Sequence, residues 1–225
     1  MINKYLDAFF ECVTWMFKES DIKNVTEVKL DLSSDFEKTY QTLGLLIKNA
    51  VISEMILNSE MKYRLLVWEN DNEIGGWLCQ ECKNVKTGNR YLDMLKQELG
   101  TIVESWGFEN LREDLLCNMN GVLVDPIQYG IGEIYDYFVE TCEYENMHPE
   151  IELNDYIVIS EEANGNLTLC NKANGEILLF ASDHCFDYVT VYNGCPEYTF
   201  YKIRNVENIV DYFEMIGSQW MNYLN

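Results

Sequence analysis

Apolar and polar side chains along this chain follow two periods, and the switches between them mark its elements. Across residues 2–18, Ile2, Leu6, Phe9, Phe10, Val13 and Phe17 recur at helical spacing, which predicts an amphipathic helix. Val25 to Leu30 alternates apolar and polar side chains and predicts a strand. Ser34 with Glu37 three residues later forms a capping box, opening a predicted helix over about 35–57. Tyr63 to Trp68 is a brief apolar run, read as a strand, and the polar, turn-rich stretch 69–76 is read as a loop. A further helix is predicted over about 90–105.

From Leu111 the pattern changes. Leu111 to Met119 has helical spacing and ends at Asn120-Gly121, a C-cap pattern. Val122-Leu123-Val124 runs into Asp125-Pro126, and Glu133 to Glu145 reads as a helix with Ile134, Phe138 and Cys142 on its inner side. After His148-Pro149 come short apolar runs, Tyr156 to Ser160, Leu167 to Cys170 and Glu176 to Phe180, separated by Asn-Gly turns at 164–165 and 174–175. That spacing predicts an antiparallel meander. Phe186 to Tyr192 and Tyr198 to Ile203 add candidate edge strands. A closing helix over 206–223 carries Val206, Ile209, Val210, Phe213, Ile216, Trp220 and Tyr223 on one side.

The predicted class is α+β: a mostly antiparallel sheet flanked by helices over 96–225. Residues 1–95 form a mainly helical N-terminal region, either integral to the same domain or a separate cap.

Charge sharpens this picture. The chain has 225 residues, 38 acidic and 16 basic, for a net charge of −22. The charge is uneven: residues 1–100 hold 16 acids and 12 bases, whereas 101–225 hold 22 acids and 4 bases. Between Arg112 and Lys172 there are 13 acids and no base. Such a chain is repelled by nucleic acid and by anionic membranes, so neither is an expected partner. An acidic surface also serves solubility alone; as a docking face it would speed encounter with a basic partner. Asp7 and Glu11 interrupt the first apolar stretch, and no run approaches the length of a membrane span. The expected location is the cytoplasm, where the eight cysteines would be reduced thiols.

Little catalytic chemistry is visible. The two histidines are His148, before Pro149, and His184, in Ser182-Asp183-His184-Cys185. Sequence neighbours such as Asp183, His184 and Cys185 point different ways on a strand and do not make a triad. His184 with a distant cysteine is the one nucleophile pair to consider. Cys79-Gln80-Glu81-Cys82 has the spacing of a zinc knuckle or redox pair, but no second pair closes a tetrahedral site. Glu161-Glu162 reads as a solvated turn. Neither phosphate-binding glycine motif is present. The expectation is a protein that is not an enzyme and carries no cofactor or metal.

Several segments resemble the SUKH superfamily: Asn118-Met119-Asn120-Gly121 after a helix, the acidic helix Glu133 to Phe138, Ile157 to Leu167 leading to Asn174-Gly175-Glu176-Ile177, and the closing helix Val206 to Trp220. The resemblance covers about residues 95–225. It implies a sheet wrapped by helices without catalytic apparatus. It also implies a bacterial immunity protein that neutralises a basic, nuclease-type toxin domain, or a regulatory scaffold of the same fold. An enzyme using His184 or Cys185 is the third reading. Tyr129, Tyr135, Tyr137, Phe138, Tyr144 and Tyr156 fall in the acidic stretch, and tyrosine beside carboxylates suits a binding surface. With Ile134, Phe138 and Cys142 inward, the residues expected to touch a protein partner are Glu133, Asp136, Tyr137, Glu140 and Glu143. The oligomeric state is open.

Overall fold

The computed structural model describes residues 2–82, 86–108, 119–121, 131–162, 165–183 and 187–224. The elements run α1 (Ile2–Cys12), β1 (Ile22–Val28), α2 (Ser34–Thr39), α3 (Gln41–Lys48), β2 (Val51–Leu57), β3 (Lys62–Glu69), β4 (Ile74–Gln80), α4 (Arg90–Leu99) and β5 (Thr101–Trp106). They continue with β6 (Met119–Gly121), α5 (Gly132–Glu145), β7 (Tyr156–Glu162), β8 (Leu167–Asn171), β9 (Ile177–Phe180), β10 (Val189–Val191), β11 (Phe200–Ile203) and α6 (Ile209–Leu224). All strand pairs are antiparallel. The class is α+β, as the hydrophobic pattern predicts.

The strands make two sheets, a five-stranded meander β1-β2-β3-β4-β5 and a six-stranded sheet ordered β10-β11-β9-β8-β7-β6. Side-chain alternation assigns their faces. On β3, Tyr63, Leu65 and Val67 pack with Tyr5, Leu6 and Phe9 of α1. Leu66 and Trp68 point the other way, into a core with Phe36, Leu43 and Leu46 of α2 and α3, Leu92 and Leu95 of α4, and Phe213 and Trp220 of α6. The second sheet repeats the arrangement. Ile177 and Leu179 of β9 join that same central core, while Leu178 and Phe180 face Ile134, Phe138 and Cys142 of α5. The molecule is therefore five layers: α1, first sheet, the group α2-α3-α4-α6, second sheet, α5. Both sheets are covered on both faces, which is why strands such as Leu65-Leu66-Val67-Trp68 and Ile177 to Phe180 are continuous apolar runs.

These layers correct the reading of the N-terminal region. Residues 1–95 are not mainly helical, since they contribute β1 to β4. The boundary at 95 falls inside α4, and β5 beyond it completes the first sheet. The helix predicted over 35–57 stops at Lys48, and 51–57 is β2; the helix predicted over 90–105 stops at Leu99, and β5 follows. The expected loop at 69–76 holds the start of β4. Gly75 and Gly76 are strand residues there because neighbouring backbone comes too close for a side chain: a Cβ at Gly76 would stand 2.1 Å from the Leu66 carbonyl oxygen.

In the second half α5, β7, β8, β9, β11 and α6 fall where predicted. Met119–Gly121 is a short strand paired with Glu161 and Glu162, not a helix cap. The predicted helix at 111–118, the run Val122 to Val124, Tyr129, His184, Cys185 and Phe186 lie outside the described residues.

Candidate functional site

The candidate surface is the outer side of α5. Its seat is apolar: Ile134, Phe138 and Cys142 are buried against Val158, Leu169, Leu178 and Phe200, and the Phe138 and Phe200 rings meet edge-on at 5.0 Å. At 3.6 residues per turn, Asp136, Glu140 and Glu143 lie within about 60° of one another, opposite that seat. All three are exposed. The helix backbone places Glu133 one turn before Asp136 on the same row; its side chain lies outside the described residues. Tyr137 sits at the margin: its ring is edge-on to Phe180 at 5.7 Å while 39% of the residue remains exposed. The structure thus brings Asp136, Tyr137, Glu140 and Glu143 together, as the spacing predicts.

Two tyrosines outside that set belong to the same surface. Tyr135 is 46% exposed and Tyr144 is 87% exposed. Tyr144 follows Tyr137 and Glu140 at seven and four residues, so helical spacing alone would have placed it there. The helix ends at Asn146, whose left-handed φ of 53° lets the Met147 N–H donate to the Cys142 carbonyl at 2.9 Å. Exposed acids continue past it at Glu150, Glu152 and Asp155.

This row works against the helix that carries it. Asp136 and Glu140 are four residues apart and Glu140 and Glu143 three apart, spacings at which like charges destabilise a helix. Glu143 and Glu145 stand in the last turn with no base, at the negative end of the helix dipole, where each is unfavourable by about 0.3–1 kcal/mol. Among the described residues, Asp136, Glu140 and Glu143 make no ion pair. Lys172 donates to the Asn154 carbonyl at 2.6 Å, Lys202 pairs with Glu176 at 3.1 Å, and Arg204 donates to the Asp187 carbonyl at 2.9 Å.

The other candidates fall elsewhere. Glu161-Glu162 is not a solvated turn: both residues lie on β7, and Glu162 is buried, its Oε2 accepting from Asn166 Nδ2 at 3.1 Å. His148 is exposed. Cys79 is a buried β4 residue whose thiol is pushed up to about 12 by burial, with Arg64 opposing. Cys82 lies past the strand, its Sγ 2.8 Å from Thr101 Oγ1. Among the described residues no group of three or more His, Cys, Asp or Glu is placed to hold a metal ion, and no helix is long and apolar enough to cross a membrane.

Comparison with protein-family models finds no match, and neither do comparisons with curated proteins and with solved structures.

Proposed function

We propose that this chain is a non-catalytic binding protein whose α5 surface docks a basic protein partner. The SUKH resemblance of residues 95–225 makes a nuclease-type toxin domain, neutralised by occlusion of its phosphate-binding groove, the leading candidate partner. The observation that carries the reading is the self-repelling carboxylate row Asp136, Glu140 and Glu143. Solubility needs negative charge, but not on one stripe of one helix that ends with Glu143 at the negative pole of its dipole. A local rule broken without compensation among the described residues points to a compensating partner. Lysine and arginine side chains laid along the row would relieve the repulsion, while Tyr137 and Tyr144 supply amphipathic contact area beside it.

The test separates binding from solubility. Replacing Glu140 by Lys turns two repulsive helix pairs into attractive ones. The free protein should gain a few tenths of a kcal/mol in stability, and capture of the basic partner should weaken. A variant that is more stable and binds equally well would assign the row to solubility. A partner captured through this row that is a resident cellular protein would favour the scaffold role.

A further inference from the structure

Two of the free cysteines lie in one apolar cluster beneath α5. Cys142 is on the inner side of α5 near its end and is 8% exposed; Cys195 is in the connection between β10 and β11 and is 3% exposed. The backbone around them brings the two segments into contact. The Cys142 carbonyl accepts from the Met147 N–H at 2.9 Å, which turns the chain back at the helix end, and Pro149 follows two residues later. Pro149 lies against the β10–β11 connection: a Cβ at Gly194 would stand 3.5 Å from the Pro149 Cα and 3.6 Å from its Cβ. Cys195 is the next residue, and its N–H donates to the Tyr192 carbonyl at 2.9 Å to close the turn.

A single buried cysteine behaves as a small apolar residue and is inert. A neighbouring pair differs, because once one sulfur is oxidised the other is at hand to attack it. These two thiols sense each other: burial is the main cause that pushes the Cys195 thiol up to about 12, and the nearby Cys142 thiol adds to the rise. The thiols of Cys79 and Cys170 are raised by burial with no second thiol among the causes. Of the pair, Cys142 is the less buried, so a small oxidant meets it first.

We propose that Cys142 and Cys195 form a redox latch, in which oxidation joins them by a disulfide that ties the C-terminal turn of α5 to the second sheet. The oxidant is hydrogen peroxide. The Cys142 sulfur attacks one peroxide oxygen, the O–O bond breaks, and a sulfenic acid and one water result. The Cys195 sulfur then attacks the sulfenic sulfur. The S–S bond forms, and hydroxide leaves and takes the Cys195 proton as a second water. Two thiols are oxidised and one peroxide is reduced to two waters; a small thiol reverses the link by exchange. The tie acts where α5 is weakest, at the turn that carries Glu143 and Glu145 at the negative pole and ends on left-handed Asn146. It also holds Glu143 and Tyr144 in place. That consequence for docking rests on the proposed role of α5, whereas the latch itself does not.

Peptide mapping of the full chain tests the latch without any partner. The Cys12→Ser protein, which lacks the exposed thiol, is treated with hydrogen peroxide in native buffer, alkylated, and digested without reduction. Mass spectrometry should find the 142–195 linked peptide about ten-fold above any other cysteine pair. Unfolding in urea before oxidation should erase that preference. Cys195→Ala should leave Cys142 as a sulfenic acid that dimedone traps. In the linked chain, hydrogen exchange of the Met147 amide should slow about ten-fold, and reduction should restore it. Absence of the 142–195 link, equal yield from the urea-unfolded chain, or unchanged exchange at Met147 in the linked chain would overturn the proposal. A link that forms while α5 captures no basic protein supports the latch and counts against the docking surface alone.

Discussion

Glu214 on α6 caps the start of α3 in place of a local residue: both its carboxylate oxygens accept from the Thr42 N–H, at 3.0 and 2.9 Å, and Oε1 also accepts from the Leu43 N–H at 3.0 Å. The local N-cap, Tyr40, supplies no side-chain cap. The first-turn amides of α3 are thus satisfied from 172 residues away in sequence, and a negative charge sits at the positive end of that helix. Glu214→Ala should lower stability by about 2 kcal/mol, a Tm decrease of about 4–8 °C, read by thermal unfolding. Glu214→Gln, which keeps one acceptor, should lose less.

Gly217, one turn further along α6, allows that approach. A Cβ there would stand 2.9 Å from the Leu43 nitrogen and 3.0 Å from its Cα. Alanine is ordinarily the better helix residue by about 1 kcal/mol. Here Gly217→Ala should instead destabilise, by about 1–3 kcal/mol, and should couple with Glu214→Ala because both act on the same α3–α6 contact. Chemical unfolding of the two single variants and the double variant measures the coupling.

Three tryptophans meet edge-on in the central layer. Trp68, Trp77 and Trp220 have ring centroids 5.0, 5.0 and 5.1 Å apart, and the Trp68 indole N–H donates to the Leu46 carbonyl at 2.8 Å. Indoles held this close should give an exciton couplet in the circular dichroism of the folded chain. Trp220→Phe should change it to the signal of the remaining Trp68–Trp77 pair. Because Trp220 comes from α6 and the other two from β3 and β4, the same change in the wild type reports separation of α6 from the first sheet.

Alkaline pH should unfold the protein. Burial raises the thiols of Cys79, Cys170 and Cys195 from the ordinary 9.0 to about 12, and burial likewise raises the phenols of Tyr40 and Tyr156. The unfolded chain therefore releases these protons before the folded one. Their contribution to stability is fully present below about pH 9 and is lost as pH rises from there towards 12. Denaturant midpoints measured across that window should fall steadily. In the native state at neutral pH, Cys12, which is exposed, should alkylate readily, while Cys79, Cys170 and Cys195 should react only on unfolding.

The sequence made α5, the β7–β8–β9 meander and α6 legible because each buries one clear stripe or is bounded by turn residues. It did not reveal β2 and β5. Val51 to Leu57 follows a helix directly and buries residues on both faces, so it shows no clean alternation to separate it from a helix tail. β4 was hidden by Gly75 and Gly76, which read as a turn but answer to the close backbone of Leu66. The five-layer stacking was also out of reach, since which sheet face each helix covers is a long-range fact. The α5 row was legible residue by residue. The helix end at Glu145 was legible too, and it places Glu143 in the last turn, at the negative end of the dipole.

The most direct test of the α5 surface is parallel affinity capture from cells that encode the protein. The baits are the wild type and the Asp136→Lys, Glu140→Lys, Glu143→Lys triple variant, compared at low and moderate salt. The substituted side chains are exposed, so both baits should show the same circular dichroism. The prediction is a basic protein retained by the wild type, released by salt and absent from the triple variant. The same proteins retained equally by both baits would contradict it.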